Sequence, residues 1–236
     1  MGRLSIVCWL WNNPRGRRLG VYKPAHVNAL SRMLKEHMSI PYELICITDQ
    51  DVRVDCRTFP LWEFSDINRN GIDGFRKLRI FDPLVNRSFG PRIMSIDLDV
   101  LIEDDLAPLI SERSFQAVKG TKSPINSGLF TFKSGTNAHI WETFSESSLE
   151  EIEKTEYVGS DQAWMSIKAP LDGLWGTDEG VWTWRQVYDN GLPAHRRIVM
   201  FPGSLKPWGG DIPKYMWKGN WSAFEELSTR YLKYLC

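Results

Sequence analysis

The chain has 236 residues, 42% hydrophobic and 25% charged, which is long enough to bury a sizeable core without staples. Its 29 Lys/Arg balance 29 Asp/Glu, so it lacks the strongly basic footprint of a dedicated DNA binder. The four Cys form no C-x-x-C pair, and Cys8 and Cys46 sit in apolar runs, which reads as buried free thiols in a reducing cytosol. The charge is unevenly spread. Residues 1–40 carry seven Lys/Arg against one acid, a region suited to attract a phosphate-bearing ligand, and residues 142–161 carry seven acids against one Lys. Solvated faces of opposite sign would account for the same pattern. Eleven Trp serve equally as sugar-ring platforms or as core.

In chain order, LSIVCWLW (4–11) predicts a buried strand that stops at Asn12-Asn13-Pro14. It is too short for a membrane span and has no cleavage-site pattern, which places the protein in the cytoplasm. Pro24 opens a helix carrying Val27, Leu30, Leu34 and Met38 at helical spacing and ending by Pro41. ELICIT (43–48) is a second buried strand. Strand, helix, strand with continuous apolar strands marks a parallel α/β layer, whose ligands collect at the carboxyl ends of the strands. That places Trp9 to Asn13 and Asp49 near a site. Residues 51–73 read as a looser region. A helix or helical turn is expected over 74–84, and one strand over RIMSIDLDVLI (92–102). Further strands are expected at 115–120 and 129–132, and helices over 136–147 and 160–168, the second with Ser160 as N-cap. Loops over a site are expected from 170 to 220, then a closing amphipathic helix with Phe224, Leu227, Tyr231, Leu232 and Leu235. Nothing demands a boundary, so residues 1–236 read as a single domain.

The sharpest chemical feature is Asp97-Leu98-Asp99. In an extended segment both carboxylates project to one side, and burying them is expensive unless a cation pairs them. Mn²⁺ or Mg²⁺ prefers such oxygens and completes its shell with substrate phosphates, neutralising a departing diphosphate. Alone, D-x-D is a weak signal. Lys77 stands about twenty residues earlier; Ile125-Asn126-Ser127-Gly128, Gly159-Ser160-Asp161-Gln162 and Gly203-Ser204-Leu205-Lys206-Pro207-Trp208 follow in order. The succession, from about residue 4 to residue 208, resembles the glycogenin-like and bacterial lipopolysaccharide galactosyltransferase group (family eight, retaining, GT-A fold).

The resemblance implies a Rossmann-like α/β fold with a mostly parallel sheet. It also implies a metal-dependent transfer of sugar from a nucleotide-diphosphate donor, uridine-based, to an acceptor hydroxyl with retention. It gives Asp97 and Asp99 the metal and the diphosphate, and Gly203 and Lys206 a phosphate contact; on their own chemistry Trp9, Lys77 and Ser127 are further donor-binding candidates, Lys77 standing equally as a surface lysine beside Arg76 and Arg79. Asp161 and Gln162 match the pair that lies beside the transferred sugar and the acceptor in that group; Asn126 joins them as a catalytic candidate on its own chemistry, an amide able to hold a sugar hydroxyl, with a simple Asn-Ser-Gly turn as the rival reading. Trp9, Trp11 and Tyr22 are candidates to stack on the base. One position departs: where the group's pattern has a metal-binding His, this chain has Met200, a poor ligand for a hard cation, with His195 as a remote substitute. On chemistry alone, Asp99→Asn is expected to abolish turnover and leave the fold intact.

The acceptor stays open between a saccharide or glycolipid, DNA carrying hydroxymethylated bases (through the Arg15-Gly16-Arg17-Arg18 loop) and protein side chains. A nucleotidyltransferase would advertise a Gly-rich basic loop after the first strand, where this chain has W-N-N-P-R-G-R-R. A non-catalytic sugar-binding module would explain the Trp content but leaves Asp97, Asp99 and Lys206 without purpose.

Overall fold

A computed structural model describes residues 3–12, 22–63, 67, 74–209 and 221–236. The first strand, β1 (Leu4–Leu10), is buried along its whole length. Its period-two alternation serves two cores: Leu4, Ile6, Cys8 and Leu10 face one, Val7 and Trp9 the other. Helix α1 (Pro24–His37) starts at a proline and packs Val27, Leu30 and Leu34 inward; it ends at Met38, before Pro41. Strand β2 (Tyr42–Thr48) pairs in parallel with β1, setting Cys8 opposite Cys46. All four cysteines are free, and these two are buried.

The region read as loose contains β3 (Arg57–Pro60), which extends the sheet beside β2. Gly74–Phe81 forms a 3₁₀ helix, followed by the short α2 (Pro83–Asn86), whose first turn is capped by Asp82. The expected single strand over 92–102 is two: β4 (Arg92–Ile96) and β5 (Val100–Ile102). They belong to different sheets, and Asp97-Leu98-Asp99 is the crossing. The Asp97 N–H donates to Gly128 O at 2.8 Å in one sheet, while Asp99 O accepts from Phe201 N–H at 2.9 Å on the side of the other. The strand ends there because its backbone partners change.

Strands β6 (Phe115–Lys119) and β7 (Ile125–Lys133) follow. Asn126 and Ser127 therefore lie within β7 rather than before it. The expected helix over 136–147 shrinks to α3 (His139–Glu142), since Asn137 takes φ 61°, which a continuing helix excludes. A separate α4 (Ser148–Glu153) comes next. Helix α5 (Asp161–Lys168) begins where expected, but the Ser160 side chain does not cap it; its hydroxyl donates to Asp161 Oδ1 at 3.2 Å. The stretch expected as loops holds β8 (Leu174–Trp175), β9 (Val181–Thr183), α6 (Trp184–Asn190) and β10 (Ile198–Met200). These elements are short, so their apolar periodicity is hidden among Gly, Pro and Trp. Helix α7 (Trp221–Leu232) closes the described chain.

The main sheet has the order β3-β2-β1-β4-β7-β6-β8, with β7 alone antiparallel to the other six. A smaller sheet has the order β5-β10-β9. Helices α1 and α7 and the small sheet cover one face of the main sheet; the 3₁₀ helix, α3 and α5 cover the other. Among the described residues, no helix is long and apolar enough to cross a membrane. The ten described Trp are all accounted for by packing: Trp9, Trp164 and Trp175 are buried, and the other seven lie partly buried against the cores.

Candidate active site

The crossing at residues 97–99 leaves β4 at its carboxyl end, beside β1, where parallel α/β sheets gather their ligands. Four segments meet there. Lys77, on the 3₁₀ helix and buried, donates to Asp97 Oδ1. Lys206 approaches from the opposite face and donates to Asp99 Oδ2, with the Tyr22 hydroxyl at 3.3 Å and the Tyr22 ring at 5.5 Å. Asp161, first residue of α5, is close enough to act electrostatically on both Lys77 and Asp97. Asn126 enters from β7, its Oδ1 accepting from the Gly128 N–H at 3.0 Å.

Two glycines make this convergence possible. A Cβ on Gly74 would stand 2.3 Å from Ser160 Oγ and 2.8 Å from Asp161 Oδ1, so only Gly lets α5 start against the helix that carries Lys77. A Cβ on Gly128 would stand 3.3 Å from Asp97 Oδ2 and 2.5 Å from the Met200 methyl. Met200 thus fills the space beside the acids with a thioether.

The site holds three carboxylates, Asp97, Asp99 and Asp161, against two ammonium groups. Burial raises the Asp97 carboxyl to about 6, with Asp99 and Asp161 adding to the rise and Lys77 opposing it. Burial works to lower Lys77, but Asp97, Asp161 and Asp99 together raise it, so it stays protonated. Among the described residues, the buried Asp161 Oδ2 has no hydrogen-bond partner. A buried carboxylate oxygen without a donor is costly, and here it sits beside a second carboxylate already pushed toward protonation.

Other expected site residues stand elsewhere. Trp9 is inside the core, its indole N–H donating to Ser95 Oγ at 2.9 Å and so stitching β1 to β4. Trp11 meets Trp9 edge-on at 6.2 Å and lies at the strand end, partly exposed. Ser127 is buried in β7. The Gln162 amide donates to Val158 O at 3.2 Å and Ser123 Oγ at 3.4 Å. Gly203 has φ 91°, a turn conformation that favours glycine, and no described residue comes within 4 Å of where its Cβ would be. His195 precedes β10 and packs by Gly180 at the end of the small sheet opposite Met200, which removes it as a substitute ligand. The Arg15–Arg18 loop lies outside the described residues.

Sequence reasoning passed over His26. Its ring stacks on Trp208 at 3.8 Å and 12°. The signal was its place on the inward face of α1, one turn before Leu30.

The donor set fits a hard divalent cation in kind. It is all oxygen, one oxygen has no donor among the described residues, and one carboxyl is pushed up by burial, with the neighbouring acids adding to the rise. It does not suffice in number: among the described residues, no group of three or more His, Cys, Asp or Glu is arranged to hold a metal alone.

The mostly parallel seven-stranded sheet, flanked by helices and with acids at its carboxyl edge, defines the GT-A fold of glycosyltransferases. Solved structures bear this out. One is the bifunctional glycosyltransferase WbbM without ligand (TM-score 0.61, 12% identity, covering 100% of this chain and 50% of that one). Another is the galactosyltransferase LgtC in complex with donor and acceptor sugar analogues (TM-score 0.57, 13% identity, 95% of each chain). An active-site mutant of LgtC matches similarly (TM-score 0.58, 13% identity, 95% of each chain). The chain thus spans about half the length of WbbM and nearly all of LgtC. No protein-family model matches the sequence, and no curated protein matches it.

Proposed function

We propose that the protein is a glycosyltransferase that moves a sugar from a uridine diphosphate donor to a hydroxyl of a saccharide or glycolipid, with retention of configuration. The observation that carries this reading is the cluster of buried Asp99, Asp161, Lys77 and Lys206 with the half-buried Asp97 at the carboxyl edge of a GT-A sheet. Its geometry has the charge pattern that a diphosphate, with or without a cation, would complete.

Asp97 and Asp99 would hold a divalent cation, Mn²⁺ or Mg²⁺, whose charge stabilises the diphosphate as it leaves. The donor's own oxygens and water would complete the shell, since Met200 offers a soft sulfur. Lys206 and Lys77, now paired with the two acids, exchange those partners for phosphate oxygens as the donor binds. Each is already buried, so little side-chain entropy is lost in that exchange. Gly203 shapes the turn that brings Lys206 in. Asp161, with its free Oδ2, accepts from a hydroxyl of the transferred sugar, and Asn126, which enters from β7, is a second polar group for that sugar; Ser127, next along the strand, points to the opposite face of the sheet. Gln162 keeps its carbonyl oxygen for the acceptor side while Ser123 and Val158 fix its amide. Trp11 and Tyr22 are the aromatic faces offered to the uracil. The resemblance to a retaining group supports retention, and the likeness to LgtC bound to donor and acceptor sugar analogues supports the class of ligands.

The test is a panel of nucleotide sugars with Mn²⁺, read by nucleotide release without acceptor and then with saccharide acceptors. Release from one uridine diphosphate sugar, lost in Asp97→Asn, is expected. Binding of free sugar with no release from any donor would make the protein a sugar-binding module instead.

A further inference from the structure

Lys206 has no freedom to place itself, because its turn is fastened from outside. Lys206-Pro207-Trp208-Gly209 closes as a β-turn, Gly209 N–H donating to Lys206 O at 2.9 Å, with Pro207 in the position where its fixed φ helps most. The turn therefore ties the backbone of Trp208 to that of Lys206, so whatever grips the indole fixes where the Lys206 side chain starts, and Asp99, Phe201 and Tyr22 receive its ammonium. The Trp208 ring is gripped on three sides. His26 stacks on it at 3.8 Å, Tyr22 meets it edge-on at 5.8 Å, and Tyr231 of α7 is tilted against it at 5.6 Å. Of the three, His26 makes the only near-parallel stack. His26 is itself immobile: its N–H donates to Lys23 O at 2.9 Å, and its Nδ1 accepts from the Lys23 N–H at 3.0 Å across the first turn of α1. That acceptor role fixes the neutral tautomer with the proton on Nε2. Burial, then Lys23, hold the imidazole down near 4, which keeps it neutral at physiological pH.

We infer that His26 is a positioning residue for the diphosphate site: its anchored ring, stacked on Trp208, holds the Lys206 ammonium against Asp99 where a phosphate would meet it. The clasp itself stands on the contacts above; its use in donor binding rests on the glycosyltransferase reading. Two readouts separate these. The first is the acetylation rate of Lys206 by an N-hydroxysuccinimide ester, followed by mass spectrometry with the exposed Lys119 and Lys133 as internal controls. The second is the affinity for uridine diphosphate with Mn²⁺.

His26→Asn retains a hydrogen-bond acceptor for the Lys23 N–H and loses the stack, whereas His26→Phe retains the stack and loses the acceptor. We expect His26→Asn to speed Lys206 acetylation and weaken uridine diphosphate binding by about fivefold each, the range of an aromatic pair. His26→Phe should stay within about twofold on both, and KM for the donor should move more than kcat. Should His26→Asn fail to fold, Trp208→Leu removes the same stack from its other side and must give the same two changes. An unchanged Lys206 rate in the folded variant, or equal losses in the Phe variant, overturns the clasp. Faster acetylation with unchanged nucleotide affinity overturns its role in binding. Wild-type protein that binds no nucleotide overturns that role together with the glycosyltransferase reading, while the acetylation rates still decide the clasp.

Discussion

The Met200 methyl lies 2.5 Å from where a Cβ on Gly128 would stand, so the two residues occupy one volume between them. Gly128 also passes its carbonyl to the Asp97 N–H at 2.8 Å, and a Cβ there would press on Asn126 Oδ1 at 3.2 Å and Asp97 Oδ2 at 3.3 Å. Met200 is buried and can yield only by repacking. Gly128→Ala is therefore expected to destabilise the protein by about 1–3 kcal/mol, the usual penalty of overpacking. Activity should fall further than that, by about tenfold or more, because the displaced atoms include Asp97. Adding Met200→Val, which removes about the volume that the new methyl needs, should restore part of the stability and little of the activity. Chemical denaturation together with donor turnover decides it, and equal recovery of both would show that Asp97 had not moved.

Lys206 and Asp99 form a buried pair, their side chains 6% and 8% exposed. Removing one charge strands the other, at a loss of about 3 kcal/mol or more, whereas removing both is close to neutral. Asp99→Asn is thus expected to abolish turnover with the fold intact, as the sequence implies, and also to lower stability, a cost that its pairing with Lys206 adds. The double variant Asp99→Asn with Lys206→Met should regain most of the stability and none of the turnover. A double-mutant cycle by urea unfolding measures this directly. A single variant as stable as the wild type would mean that Lys206 finds the Phe201 carbonyl, 3.5 Å away, an adequate partner.

Much of this architecture is legible in the chain. The continuous apolar runs of β1, β2 and β4 and the proline start of α1 give a parallel α/β layer outright. The pairing of Lys77 and Lys206 with the two acids is not legible, because it depends on a sheet crossing between Asp97 and Asp99 that hydropathy reads as one strand. Short strands such as β9 and β10, three residues each, lie below the length at which periodicity speaks. Trp9 shows the converse limit: an aromatic residue near a strand end reads as a binding platform until the neighbouring strand supplies Ser95 for its indole. His26 is hidden for a third reason. A histidine on an apolar helix face has no local signature that names its stacking partner, 182 residues away in this case.

Asp161 combines a buried position with an oxygen that no described residue satisfies. In the folded protein that arrangement is held by Lys77 nearby and by the start of α5, whose free N–H groups favour a carboxylate. Asp161→Asn removes one negative charge from a site with three, so stability should be unchanged or slightly higher. Turnover should drop by about 10- to 100-fold in kcat/KM, the worth of a charge-assisted hydrogen bond to a sugar hydroxyl. Thermal melting and donor kinetics together test the trade. A variant that loses stability by more than about 1 kcal/mol would show that the free oxygen has a structural partner after all.

The same clasp that holds Lys206 has a pH signature. His26 titrates near 4 in the folded protein, below the ordinary 6.5 of an unfolded chain, with burial the leading cause. Between those values the unfolded state binds more protons, so stability rises with pH across that window and is fully present above about 6.5. Lowering the pH through the same window removes it, by at most about 3 kcal/mol at pH 4. Carboxylates titrate over part of that range as well, so the decisive quantity is a difference. His26→Phe has nothing to protonate there, and its stability should fall less steeply than the wild type's from pH 6.5 to pH 4. Parallel denaturation curves over that range would mean that the imidazole is protonated as readily folded as unfolded, and that its stack on Trp208 survives the charge.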